Sequence, residues 1–155
     1  MADIDLTVGQ GTEPVYSAAD RLLMWEKIVD FSVTGQNMAA SDTMQLFDLP
    51  ANVLVVASVL EVLKPEGATA TADLGVTGGD TNKYLAGANL NAAAGTLVKS
   101  GDAGTPEPIA FSNNGDVLAS GETVSLLANN ALANAVIRVQ IFAIDRRPAL
   151  PDPAL

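Results

Sequence analysis

Along most of the chain, apolar and polar positions alternate in short runs that end at Gly, Pro or Asn, the pattern of half-buried strands joined by turns. Thr43 to Leu49 (TMQLFDL) stops at Pro50, which has no N–H to give a ladder. Asn52 to Leu63 (NVLVVASVLEVL) is rich in Val and Leu and closes at Lys64-Pro65-Glu66-Gly67, a turn signal, so it is the best candidate for a long central strand. Thr69 to Leu74 follows with β-favouring Thr at alternate positions, up to Gly75. Glu107 to Ser112 (EPIAFS) predicts a short strand, with Asn113-Asn114-Gly115-Asp116 as a hairpin turn after it. Glu122 to Leu127 and Asn134 to Asp145 finish the pattern. In the last run Val136, Arg138 and Gln140 alternate against Ile137, Val139 and Ile141.

The start of the chain reads two ways. Ser17 with Asp20 resembles a capping box, and Leu22, Leu23, Trp25 and Ile28 would follow on one helical face. Against that, Ile28 to Val33 alternates and ends at Gly35, as a strand would. Residues 75–106 form a long Gly/Asn/Asp/Ala/Thr-rich stretch that reads as a loop, with only Gly95 to Lys99 strand-like inside it. A loop of that length in a small domain usually makes contacts or carries function. Residues 1–16 contain Gly9, Gly11 and Pro14 and read as an extended arm, ordered where something receives it. The tail, 146–155, has Pro148, Pro151 and Pro153 and should be extended. The expected organisation is therefore an arm (1–16), an all-β domain (17–145) and a Pro-rich tail (146–155). Seven or eight strands at spacings of about a dozen residues predict an antiparallel β-sandwich, with a jelly roll as the expected winding.

Composition narrows the function classes. The chain of 155 residues is long enough for one well-packed domain, and its 48% hydrophobic against 17% charged content excludes a disordered chain. Eighteen acidic against eight basic residues give a net charge of −10. No basic cluster exceeds Arg146-Arg147, so neither nucleic acid nor an anionic membrane is expected as a partner. No apolar run approaches the roughly 20 residues of a membrane span. The acidic start Met1-Ala2-Asp3-Ile4-Asp5 is unlike a signal peptide, so the protein is expected to stay where it is made. Cysteine and histidine are both absent, which removes disulfides, thiolate metal sites and the commonest general base.

Several features invite a chemical reading, and each has a plainer one. Gly75-Val76-Thr77-Gly78-Gly79-Asp80 is Gly-rich but lacks the Lys-Ser/Thr of a phosphate loop and a following helix pattern. Asp73, Asp80, Asn82, Asn89 and Asn91 offer oxygen ligands for Ca²⁺, although their spacing matches no twelve-residue calcium loop and turns favour the same residues. Glu61 with Glu66, or Glu107 with Glu122, would pair as glycosidase carboxylates only beside an aromatic platform, which one Trp and two Tyr scarcely supply. A nucleophilic hydroxyl without histidine would need a Lys partner, and Lys27, Lys64, Lys83 and Lys99 all lie in polar or turn-like surroundings. Trp25 fits a core or subunit contact better than a ligand anchor. No catalytic, cofactor or metal residue is assigned, and an enzyme is not expected.

The order of segments resembles small virion proteins of tailed bacteriophages. Thr43-Met44-Gln45-Leu46-Phe47-Asp48-Leu49-Pro50-Ala51 is similar to their opening strand and Leu-Pro-Ala turn. Val59 to Val62, followed by Gly67 to Gly75 (GATATADLG), resembles their valine strand and the segment after it. Gly79-Asp80, Tyr84-Leu85 and Asn89 to Thr96 match a Gly/Asp turn, an aromatic and an Asn/Ala-rich loop. Gly121 to Leu126 and Ala135 to Ile141 resemble the closing strands. The resemblance covers residues 30–145 and implies a head decoration (cement) protein on the capsid surface. Such a protein would be a homotrimer, made in the host cytoplasm, with the major capsid protein as partner. A tail, fibre or adaptor protein is the alternative within the particle. A glycan- or receptor-binding module is the alternative outside that class, and exposed aromatics would mark it.

Overall fold

A computed structural model describes residues 21–102 and 118–146, which form eight strands and no helix. They are β1 (Arg21–Asp30), β2 (Thr43–Leu49), β3 (Val53–Lys64), β4 (Thr71–Val76), β5 (Leu85–Asn89), β6 (Leu97–Lys99), β7 (Glu122–Ala128) and β8 (Val136–Asp145). Two four-stranded antiparallel sheets result, ordered β1-β8-β3-β6 and β2-β7-β4-β5. This is the β-sandwich the patterning predicts. The pairings nest: β1 lies beside β8, β2 beside β7, β3 beside β6 and β4 beside β5.

The core follows from the period of two in each strand. On β8, Ile137, Val139, Ile141 and Ala143 are all buried, and they meet Leu74, Leu85, Val124 and Leu126 of the second sheet in one apolar cluster. β3 contributes Val53 and Val55, then Ser58, Leu60 and Val62. The switch from odd to even positions is made by a bulge between Val55 and Ala57, whose extra residue resets which side chains face inward. A run as apolar as NVLVVASVLEVL can therefore keep a continuous inner face on both sides of the bulge. A second shift, between Gln45 and Phe47, lets Leu46 and Phe47 both be buried on β2.

Two expectations are corrected. The helical alternative fails for residues 21–28, because Arg21–Asp30 pairs with β8 along ten residues and the ladder satisfies the backbone there; residues 17–20 lie outside the described residues. The 75–106 stretch is not one loop with a single strand: Leu85–Asn89 is β5, paired with β4. Its Ala, Gly and Asn residues have little strand preference of their own, so the neighbouring strand decides. The predicted strand 107–112 and its turn, the arm 1–16 and residues 147–155 of the tail lie outside the described residues.

The chain enters and leaves the sandwich at one end. Arg21 pairs with Asp145, and the Arg146 N–H donates to the Asn52 carbonyl at 2.9 Å. Leu118 exchanges backbone hydrogen bonds with Asn52 and Val53 at the same place.

Candidate interaction surface

The register exposes an unusual outer face on the first sheet. Across β1, β8 and β3 the outward positions fall into rows: Leu22–Ile144–Leu54, then Met24–Phe142–Ala57. Next come Glu26–Gln140–Val59–Lys99 and Ile28–Arg138–Glu61–Leu97, the last members from β6. The first two rows are wholly apolar. Leu22 is 69% exposed and Met24 54%, and Ile28 and Leu97, at the two ends of the last row, are exposed by more than half as well. An antiparallel sheet with one face in the core ordinarily presents polar residues on the other. This one carries two wholly apolar rows there as well.

The polar side chains in the middle of that face are bonded to one another. Arg138 Nη1 donates to Glu61 Oε2 at 2.8 Å, and Gln140 Nε2 donates to Glu26 Oε2 at 2.7 Å. Arg138 Nε is shielded from solvent, with Glu26 Oε2 at 3.8 Å and no hydrogen-bond partner. The charges are thus internally matched and leave the apolar rows as the feature a partner would meet. Beside them, an open groove of about 560 Å³ runs between β1 and β2, lined by Leu23, Met24, Trp25, Asp48, Leu49 and Pro50.

The sequence-predicted candidates take structural posts. Gly75 and Val76 end β4 and residues 77–80 are the turn after it, closed by Val76 N–H to Asp80 O and Gly79 N–H to Val76 O, so those donors are not free for a phosphate. Four of the five side chains considered for Ca²⁺ accept backbone hydrogen bonds through their oxygens, and the fifth, Asn82, donates its N–H to Asp80. Asp73 Oδ1 takes the Gly87 N–H at 2.6 Å, Asp80 Oδ1 the Asn82 N–H at 3.2 Å, and Asn89 Oδ1 the Asn91 N–H at 2.9 Å. Asn91 Oδ1 takes the Gly67 N–H. Among the described residues no three acidic side chains converge to hold a metal.

Glu61 and Glu66 do not act together. Glu61 serves Arg138 on the outer face. Glu66, only 8% exposed, reaches the loop before β8 and accepts the backbone N–H groups of Ala133 (2.9 Å), Asn134 (3.0 Å) and Ala135 (2.7 Å), with the Asn134 amide at 3.2 Å. Burial raises its carboxyl, but those donors outweigh burial and hold it below the ordinary value. Glu107 lies outside the described residues, and Glu122 accepts from Lys83 Nζ at 2.7 Å and from the Tyr84 hydroxyl. Burial, then the Glu122 hydrogen bond, pushes the Tyr84 phenol far up, so it stays neutral. Lys27, Lys64 and Lys99 are exposed. Trp25 is half-buried against the core, Tyr84 is 2% exposed, and Tyr16 is outside the described residues. No stacking platform for a sugar forms among the described aromatics.

Sequence reasoning did not find the outer face. Its signal was present in Val136, Phe142 and Ile144, apolar residues on the polar side of the β8 alternation.

No protein-family model and no curated protein matches the sequence. Solved structures do resemble the fold. A chain in the acidic stable capsid structure of Helicobacter pylori bacteriophage KHP30 superposes with a TM-score of 0.56 at 15% identity, covering 81% of this chain and 89% of that one. A chain in the capsid of Ralstonia phage GP4 gives 0.55 at 20% identity, covering 88% and 92%. At such identities the likeness establishes a shared fold that spans nearly the whole of each compared chain.

Proposed function

We propose that this chain is a non-enzymatic structural protein of a bacteriophage virion. In this reading it decorates the head, binds the major capsid protein and cements the shell as a homotrimer on the capsid surface after synthesis in the host cytoplasm. The nested strand pairing is read as a jelly-roll winding, two four-stranded sheets rolled from one long antiparallel ribbon. The observation that carries the proposal is the two-faced first sheet. A sandwich needs only its inner face apolar, so the Leu22, Met24, Phe142, Ile144 and Leu54 rows are surplus to folding and suited to docking. Burying one such side chain contributes about 1.5–3 kcal/mol, enough for a few rows to hold a subunit on a shell. The likeness to chains of two phage capsids agrees with this reading. The net charge of −10 would keep free copies soluble before assembly.

The test is the protein's position in purified particles. Heads and tails are separated and the chain is quantified in each against the major capsid protein. Copies in fixed, high stoichiometry on heads are expected. Presence only with tails would replace the decoration role by a tail or adaptor role, and absence from both would end the virion reading.

A further inference from the structure

Among the described residues four strands stand at sheet edges, and three of them are blunted against pairing with another chain. β6 is only Leu97–Lys99. β5 is interrupted by Gly87 at φ +61° and by a register shift against β4. β2 is broken by the shift between Gln45 and Phe47. β1 has none of these devices: its ten residues run in unbroken register with β8, without Gly or Pro. Phe31 N–H donates to Ala135 O on the β8 side, whereas Asp30 N–H turns the other way, to Gln36 Oε1 at 3.3 Å. By the alternation of an antiparallel ladder, the N–H and C=O groups of Leu22, Met24, Glu26 and Ile28 point out from that edge. Among the described residues no strand covers them. The side chains of the same four residues form the outer row, three of them apolar and more than half exposed. A long, flat, apolar edge is a template for another strand. Of the edges that this chain offers, only a second β1 matches it in length and regularity.

We infer that two copies of this chain pair β1 against β1, antiparallel about a two-fold axis, joining their four-stranded first sheets into one continuous sheet. The register follows from parity and charge. Outward groups must meet outward groups, so even-numbered residues face even-numbered ones. An axis at Lys27 would set two ammonium groups face to face, and an axis at Glu26 two carboxylates; like charges directly opposite are destabilising. An axis at Met24 would place Ile28 beyond the end of the other β1. The axis therefore lies at Trp25, the one tryptophan of the chain, which meets its own counterpart as an aromatic pair. Leu22 faces Ile28 of the second copy, and each covers the other's exposed side chain. Met24 faces Glu26 of the second copy, so all four outward residues donate and accept across the axis. On the inner row, Lys27 of the second copy faces Leu23, at the groove that Trp25 and Asp48 also line, and its ammonium meets the side of that carboxylate. This inference goes beyond the virion role and does not rest on it. It concerns the free chain and uses a strand edge, so a threefold arrangement on a shell would use other surfaces.

Sedimentation equilibrium of the full-length protein, from about 1 to about 200 µM at about 0.15 M salt, where charges more than about 8 Å apart are screened, tests it. A reversible monomer–dimer equilibrium is expected, because one strand from each copy makes an interface at the small end of the range, about 1,000 Å². Met24→Pro removes one outward N–H and leaves the β8 ladder whole, so it should raise the dissociation constant about tenfold or more. Leu22→Lys or Ile28→Glu alone should weaken the pair about tenfold, and the two together should restore it to within about threefold, since opposite charges then face each other across the axis. The two positions lie about 20 Å apart along one strand, so no contact within a copy can produce the restoration. Slow amide exchange at Val139 and Ile141 certifies that each variant is folded. If Met24→Pro is not, the charge variants carry the test alone. A native chain that stays monomeric at the highest of these concentrations overturns the inference. So does a dimer indifferent to Met24→Pro, or a charge pair that restores nothing.

Discussion

Glu66 sits in the turn after β3, where the sequence offers only a Lys-Pro-Glu-Gly turn signal, and its carboxylate holds three successive backbone N–H groups of a loop far along the chain. Nothing in the local pattern could have announced those partners, because they are made by the nesting of strands and not by neighbours in sequence. Glu66→Gln replaces one accepting oxygen by a donor facing other donors and should cost about 1–3 kcal/mol at neutral pH, read from the urea midpoint. The pH dependence follows from the direction of its shift. The folded value lies below the ordinary 4.5, so the contribution is complete above that value and disappears as pH falls through the lower folded value. The gap between native and Glu66→Gln midpoints should therefore narrow in acid; a gap that stays constant would remove the carboxylate from the account. Gly75 is legible in part. As a turn glycine it was expected, but its need comes from close approach: a Cβ there would lie 2.2 Å from the Thr81 carbonyl carbon and 2.3 Å from Asp80 O. Both are backbone atoms, so Gly75→Ala should destabilise by roughly 3 kcal/mol, measured the same way.

The strands that the sequence makes plain are those whose apolar period is bounded by breakers. Thr43–Leu49 ends at Pro50 and Glu122–Ala128 begins after Gly121, and both lie within a residue of the bounds that the pattern predicts. β5 was hidden because Leu85-Ala86-Gly87-Ala88-Asn89 has no β-branched residue, and Gly87 adopts φ +61° inside it. β1 was ambiguous for a different reason. Leu22-Leu23-Met24-Trp25 is apolar on both faces, which erases the alternation that separates strand from helix. The same property blurs β8, and there it can be tested. Ile141 is fully buried on the inner face, whereas Phe142 beside it faces out. Ile141→Ala should lower stability by about 2–5 kcal/mol, and Phe142→Ala by clearly less, in equilibrium unfolding. Equal losses would mean that the outer face is covered within the folded monomer.

At the scale of the molecule, the question is whether the outer face of the first sheet binds through its apolar rows or through its charges. Glu26, Gln140, Arg138 and Glu61 are already bonded to one another across that face, so a partner gains little from them. The apolar rows have no such internal use. Leu22→Glu combined with Met24→Glu places charge in the middle of them, at positions exposed enough that the fold should lose no more than about 0.5 kcal/mol. Added to particles lacking the native chain, this variant should remain folded and fail to occupy heads, while Glu61→Gln should bind nearly as the native protein does. Ionic strength separates the two physical origins. Apolar docking should persist as salt is raised, whereas attraction between an acidic protein and a basic shell would weaken as the screening length shortens. Retained occupancy by the double variant, or native occupancy that collapses with added salt, would move the docking surface off this sheet and onto the charged remainder of the molecule.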